Sequence, residues 1–163
     1  MLAVRYVYVL ALVIWLGGMI VLGAVVAPTL FDTLQAGDPV NGRALAGAAF
    51  GSAIARFHYV AYVSGGLLVL TLALMRILGP KPVHFAARAL IALAMLGVAA
   101  YSGLVVLERI DAIQAAVGTL PSRLPAGDPR RIEFDGLHLL STRLMSINIL
   151  GALVLLYWEA REH

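Results

Sequence analysis

A chain of 163 residues that is 61 % hydrophobic and only 13 % charged, with mean hydropathy +0.92, departs from a soluble domain, which carries roughly 45–50 % apolar and 25 % charged residues. Cysteine is absent, which excludes disulfides, thiolate metal sites and cysteine nucleophiles. The net charge of +3 is small and dispersed, giving no footprint for nucleic acid.

No polar stretch is long enough for a second domain, so one all-α integral membrane domain is predicted. A helix needs about 20 mostly apolar residues to cross the hydrocarbon core. Charge-free runs cover 6–31, 57–75 and 89–107, and a fourth covers 136–158, broken only by Arg143. The predicted spans are therefore about 5–29, 56–78, 86–108 and 136–158, forming a four-helix bundle. The first apolar run continues past any cleavage pattern and reads as a retained helix. Pro28 is expected to end it, because proline donates no backbone hydrogen bond. Gly37-Asp38-Pro39 marks a loop, and the alanine- and glycine-rich stretch from Asn41 extends helix two outward. Gly79-Pro80-Lys81-Pro82 is a tight turn into helix three. That helix continues amphipathically through Leu107, Ile110, Ile113 and Val117, then breaks at Pro121, Pro125 and Asp128-Pro129.

Four spans put both ends of the chain on one side. That side holds Arg5, Arg76, Lys81, Arg88 and Arg161 in short segments. The opposite side spreads Arg43, Arg56, Arg109, Arg123, Arg130, Arg131 and Arg143 over two long connections. The density of basic residues in short segments places the termini in the cytoplasm of a bacterial-type inner membrane.

The two halves echo each other. Phe57-His58 opens one apolar run and Leu137-His138 opens another, with the histidines 80 residues apart. Val25-Val26 resembles Val105-Val106, and Asp32-Thr33-Leu34-Gln35-Ala36 resembles Asp111-Ala112-Ile113-Gln114-Ala115 at an offset of 79. Two tandem two-helix hairpins would be related by a pseudo-two-fold axis along the membrane normal. Both histidines would then share one depth on the extracytoplasmic side.

Polar groups in lipid are costly, so polar faces should turn into the bundle. Helical spacing puts Trp15, Gly18, Leu22 and Val25 on one face of helix one, and His58, Tyr62, Gly65 and Val69 on one face of helix two. The corresponding faces are Gly97, Tyr101, Leu104, Glu108 and Asp111 on helix three, and His138, Ser141, Met145, Asn148 and Ala152 on helix four.

The candidate site is haem b held by His58 and His138, since haem iron takes neutral imidazole axially. Gly65, two turns below His58, would leave room for the porphyrin. Arg56 and Arg143 would pair with its propionates. Asp135, one turn before His138, would orient that imidazole. Copper is the lesser alternative: two histidines with Asp32, Glu108 or Asp135 suit zinc or cupric ion, and Met19 and Met145 add thioethers that suit cuprous ion. The bland readings are interfacial histidines, methionine as core filler, and Arg143 snorkelling outward or pairing with Glu108 or Asp111. His84 and His163 read as solvated surface groups.

Trp15-Leu16-Gly17-Gly18 followed by Ala27-Pro28-Thr29-Leu30-Phe31, with Phe134-Asp135-Gly136-Leu137-His138-Leu139-Leu140-Ser141 in the fourth span, resembles the small bacterial membrane proteins of domain-of-unknown-function family 4149. The tryptophan-glycine-glycine opening is also similar to copper-resistance D-like and haem-linked protoporphyrinogen oxidase J-type membrane proteins. Those relatives imply helix bundles whose histidines handle copper or haem, and the motif carries this onto His138 alone. Lysines typical of the oxidase type inside the bundle are missing, the only lysine being Lys81, which departs from protoporphyrinogen oxidation.

Three functions follow as expectations. The first is a redox or electron-transfer component with haem b at the extracytoplasmic face. The second is a non-catalytic accessory subunit of a larger membrane complex, and the third is copper or other metal handling, which would need a homodimer.

Overall fold

The computed structural model describes residues 2–79, 82–118 and 120–162. Pro80 and Lys81 of the predicted turn, and His163, lie outside the described residues. Four helices long and apolar enough to cross a membrane make up the fold: α1 (Leu2–Gly37), α2 (Gly42–Leu78), α3 (Phe85–Val117) and α4 (Pro129–Ala160). The chain is an all-helical membrane four-helix bundle. At 1.5 Å per residue the 36 residues of α1 reach about 54 Å, well beyond the ~30 Å hydrocarbon core. The extra length stands out on the side of the two long connections. Leu10, Val13, Ile14, Leu70, Leu90 and Leu150 are exposed on the outer surface, the apolar coat a bilayer requires.

Local chemistry sets the helix ends. Asp38 accepts from the backbone N–H groups of Val40 and Asn41 and turns the chain into α2. α3 ends at Gly118, whose φ of 65° suits a residue without Cβ. Asp128 caps α4 by accepting from the Arg130 N–H, with Pro129 in the first turn. The Arg130 side chain on Asp128 holds that carboxyl below the usual carboxylate range. The fourth helix thus starts seven residues before the predicted span, which marked only the apolar part.

Pro28 does not end α1. The helix widens into a π turn at Leu22–Val26, where Ala27 N–H reaches back to the Leu22 carbonyl, and Pro28 follows inside the first turn of the resumed α-helix. A π bulge absorbs the local mismatch that a proline would otherwise impose. Yet α3 carries the same π turn at Ser102–Val106, with Glu108 where α1 has Pro28. The bulge therefore belongs to both halves and does not depend on the proline. Its two copies, Leu22-Gly23-Ala24-Val25-Val26 and Ser102-Gly103-Leu104-Val105-Val106, are offset by 80 residues, as the histidines are.

Each helix packs on two neighbours, in the cyclic order α1, α2, α3, α4 and back to α1. α1 and α3 are thus diagonal, and so are α2 and α4. That is the arrangement an axis along the bundle gives two like hairpins. The central core is built from Leu12, Trp15, Leu68, Leu72, Met95 and Leu155.

The end bearing both chain termini is closed by charge. Arg88 of α3 has a fully buried side chain and donates to Glu159 of α4 at 2.7 Å. Arg5 of α1 also donates to Glu159, and to Glu162 at 2.8 Å. Arg88 Nη2 lies 3.2 Å from Glu162, near enough for charge pairing but without hydrogen-bond alignment. The Val83 N–H donates to Glu162, tying in the α2–α3 connection. His84 beside it is exposed and rests on the Trp158 ring at 5.3 Å.

Removing one partner of a buried pair strands the other charge, at a cost of about 3–5 kcal/mol, whereas replacing both by apolar groups costs far less. Glu159→Gln should therefore lower the unfolding midpoint of the purified protein in detergent more than the double change Arg88→Leu/Glu159→Leu. The double change leaves Arg5 its pair with Glu162. Equal losses from both would contradict this account of the cluster.

Candidate functional site

At the opposite end the bundle is not closed, and a groove opens between the diagonal helices α2 and α4. His58 and His138 both line it, with Phe50 and Ile54 of α2 and Phe134 and Ser141 of α4. Its volume is about 260 Å³ and it is open along one side.

His58 is half-buried, and its Nδ1 lies 2.9 Å from the Ile54 carbonyl one turn earlier. A carbonyl only accepts, so the bond puts the proton on Nδ1 and leaves the lone pair on Nε2. The ring sits 5.9 Å from that of Tyr62 and lies against Gly103 of α3. A Cβ on Gly103 would overlap both the Tyr62 hydroxyl and the His58 ring. Gly103 belongs to the π turn of α3, so the bulge and the missing side chain together make the seat for His58. His138 is exposed on the groove wall, its ring stacked on Phe134 at 6.4 Å and 12°.

The other predicted residues are placed differently. Asp135 lines the groove but turns toward Arg131, 3.8 Å away, and makes no hydrogen bond to His138. Arg56 and Arg143 are exposed and lie outside the groove. The reason is angular: at about 100° per residue, Arg56 is ~200° around α2 from His58 and Arg143 is ~140° around α4 from His138. Similar depth does not bring them to the same face. Among the described residues Arg143 makes no ion pair with Glu108 or Asp111. Gly65 does share the His58 face, but its space is filled: a Cβ there would meet Leu96 at 2.8 Å and Trp15 at 3.1 Å. It serves helix packing. Arg43, which the sequence reading left unassigned, lines the groove instead.

The predicted face of α4 does turn inward, with Ser141, Met145 and Asn148 lining a deeper chamber and Ala152 buried. The predicted face of α3 does not. Gly97, Tyr101, Leu104, Glu108 and Asp111 are exposed, while Arg88, Ala92, Met95, Ala99 and Val106 are buried. Glu108 and Asp111 lie about 30 Å or more along α3 from Arg88, beyond a hydrocarbon core of that thickness. There is no lipid there to force them inward, and Asp111 reaches only the groove wall.

The profile described as "Domain of unknown function (DUF4149)" matches residues 10–118. The chain belongs to this family. The matched segment runs from α1 to the end of α3 and holds His58, Gly103 and both π turns. His138 lies beyond it, although the fourth-span motif around His138 carried the resemblance in the sequence. No curated protein and no solved structure matches the chain. Membership in the family therefore comes without an assigned activity.

Overpacking a tight site costs typically 1–3 kcal/mol. Gly103→Ala should destabilise the purified protein by about that amount, and Tyr62→Phe in the same chain should restore part of it by removing the overlapping hydroxyl. Gly66→Ala is the control, because a Cβ there meets nothing within 4 Å. Equal thermal midpoints for Gly103→Ala and Gly66→Ala would contradict the seat described for His58.

Proposed function

We propose that this membrane protein binds haem b in the groove, where His58 and His138 would hold it, and serves as a one-electron redox component. The observation that carries the reading is the delivery of two imidazoles, from diagonal helices of the two halves, to one groove. The His58 ring is already fixed by the Ile54 carbonyl, leaving Nε2 as the ligating nitrogen. Among the described residues no three of His, Asp and Glu gather as a metal-ion site. Haem iron takes neutral imidazole, and two such rings line the groove.

Arg43 on the groove wall stands about 22 Å along α2 from His58, too far to pair with the propionates of a ring held by that histidine. Phe50 and Phe134 supply flat apolar walls, and the open side lets a ring larger than the enclosed volume lie partly at the surface. Bound haem would supply reversible one-electron chemistry. The chain's own residues hold the ring, orient it and shield one face from water. With the termini in the cytoplasm, as the density of basic residues favours, the groove faces the extracytoplasmic side.

The test is the visible spectrum of the purified protein supplied with haem. A Soret band is expected in the native chain and lost in His58→Ala/His138→Ala. Arg56→Ala and Arg143→Ala should leave it unchanged. No band in the native protein, or a band indifferent to both histidines, would overturn the reading. A tightly co-purifying membrane protein in that event would favour the accessory-subunit role.

A further inference from the structure

Below the groove lies a second, smaller space. The chamber has a volume of about 60 Å³ and shares Phe50, Ile54, His58, Ser102, Ser141 and Met145 with the groove above it. A water molecule needs roughly 10–15 Å³ of such volume, and an apolar cavity of ~150 Å³ is the size that takes a benzene ring. The chamber therefore suits one or a few molecules of water's size and is too small for an aromatic head group.

One side chain gives the chamber its chemistry. Asn148 is only 5 % exposed, lines the chamber, and its Oδ1 has no hydrogen-bond donor. Asn148 is ten residues along α4 from His138, about 15 Å deeper at 1.5 Å per residue, or half the thickness of the hydrocarbon core. An amide oxygen left without a donor at that depth is strongly disfavoured. Ser102 and Ser141 line the same chamber, and a hydroxyl can donate to or accept from a small occupant. Toward the termini the lining gives way to the dry, buried side chains of Ala152, Leu155, Leu12, Leu72 and Met95.

We propose that the groove continues as a water-filled half-channel ending at Asn148, and that a hydrogen-bond donor of water's size occupies the site between Asn148, Ser102 and Ser141. The ligand class is water or a similarly small hydroxylic or protonated solute. The groove gives access from its end, and the packed core closes the path toward the termini. The half-channel passes the His58 ring and so gives it a route to solvent. The proposal does not rest on haem binding and is tested on ligand-free protein.

The chain contains no cysteine, so single cysteines report without background. Silver ion is charged, about the size of a water molecule, and reacts with the thiolate, and each unit by which burial raises a thiol pKa lowers the thiolate fraction about tenfold. In the full chain reconstituted in liposomes, Ser141→Cys, Ser102→Cys and Asn148→Cys should all be modified. Each should react more than about tenfold faster than Ala152→Cys in the dry core or Leu150→Cys on the lipid face. Ser102→Cys probes the facing wall, so a failure of Asn148→Cys to fold still leaves a decisive reading. Reaction of Ser141→Cys alone, with Ser102→Cys and Asn148→Cys as slow as Ala152→Cys, would show a dry chamber and overturn the proposal. A missing Soret band would leave this result untouched, and a dry chamber would leave the haem assignment untouched.

Discussion

A guanidinium buried in a membrane bundle is tolerable only beside an opposite charge, and the burial of Arg88 against Glu159 fixes the architecture more than any other contact. Through Glu159 and Glu162 it draws α1, α3 and α4 together, and through the Val83 N–H it fixes the α2–α3 connection to the same cluster. The bundle is thereby pinned at one end. At the other end the ion pairs lie at the surface and the helices run on beyond the thickness of a bilayer, so a gap persists there without loss of the fold. The groove lies at the end that this cluster does not hold.

Within that frame the two halves place equivalent devices at equivalent positions. The π turns of α1 and α3 and the histidines of α2 and α4 share one 80-residue offset, and the cyclic order of the helices makes each related pair diagonal. Both imidazoles line one groove between the diagonal helices α2 and α4. The halves are not equal in detail. His58 is seated against Gly103 with one nitrogen fixed, whereas His138 is exposed and braced only by Phe134. Asn148 answers to Leu68 in the first half, so the polar floor of the chamber is a feature of the second half alone.

Much of the fold was legible because hydropathy reports what lipid demands. The four spans, the outward extension of helix two and the inward stripe of Ser141, Met145 and Asn148 all follow from the cost of polar groups in hydrocarbon. The same rule failed where it was applied outside the hydrocarbon, as at Glu108 and Asp111. It failed again where depth was read without angle, as at Arg56 and Arg143. Pro28 misled because the π turn before it was invisible to propensity, although the repeated Gly-x-Val-Val at Gly23 and Gly103 was its signal in the sequence. The role of Arg88 was hidden for another reason: an arginine at the edge of a span reads as an orientation signal until its partners, more than seventy residues away, are known.

The haem proposal requires that the two histidines act as one site across the gap between α2 and α4. Electron paramagnetic resonance of the ferric, haem-loaded protein tests it most directly, because two axial imidazoles give a low-spin iron signal that one does not. The account predicts a low-spin signal in the native chain that becomes high-spin in either His58→Ala or His138→Ala. A native signal that is already high-spin, or a low-spin signal that survives the loss of either histidine, would contradict it.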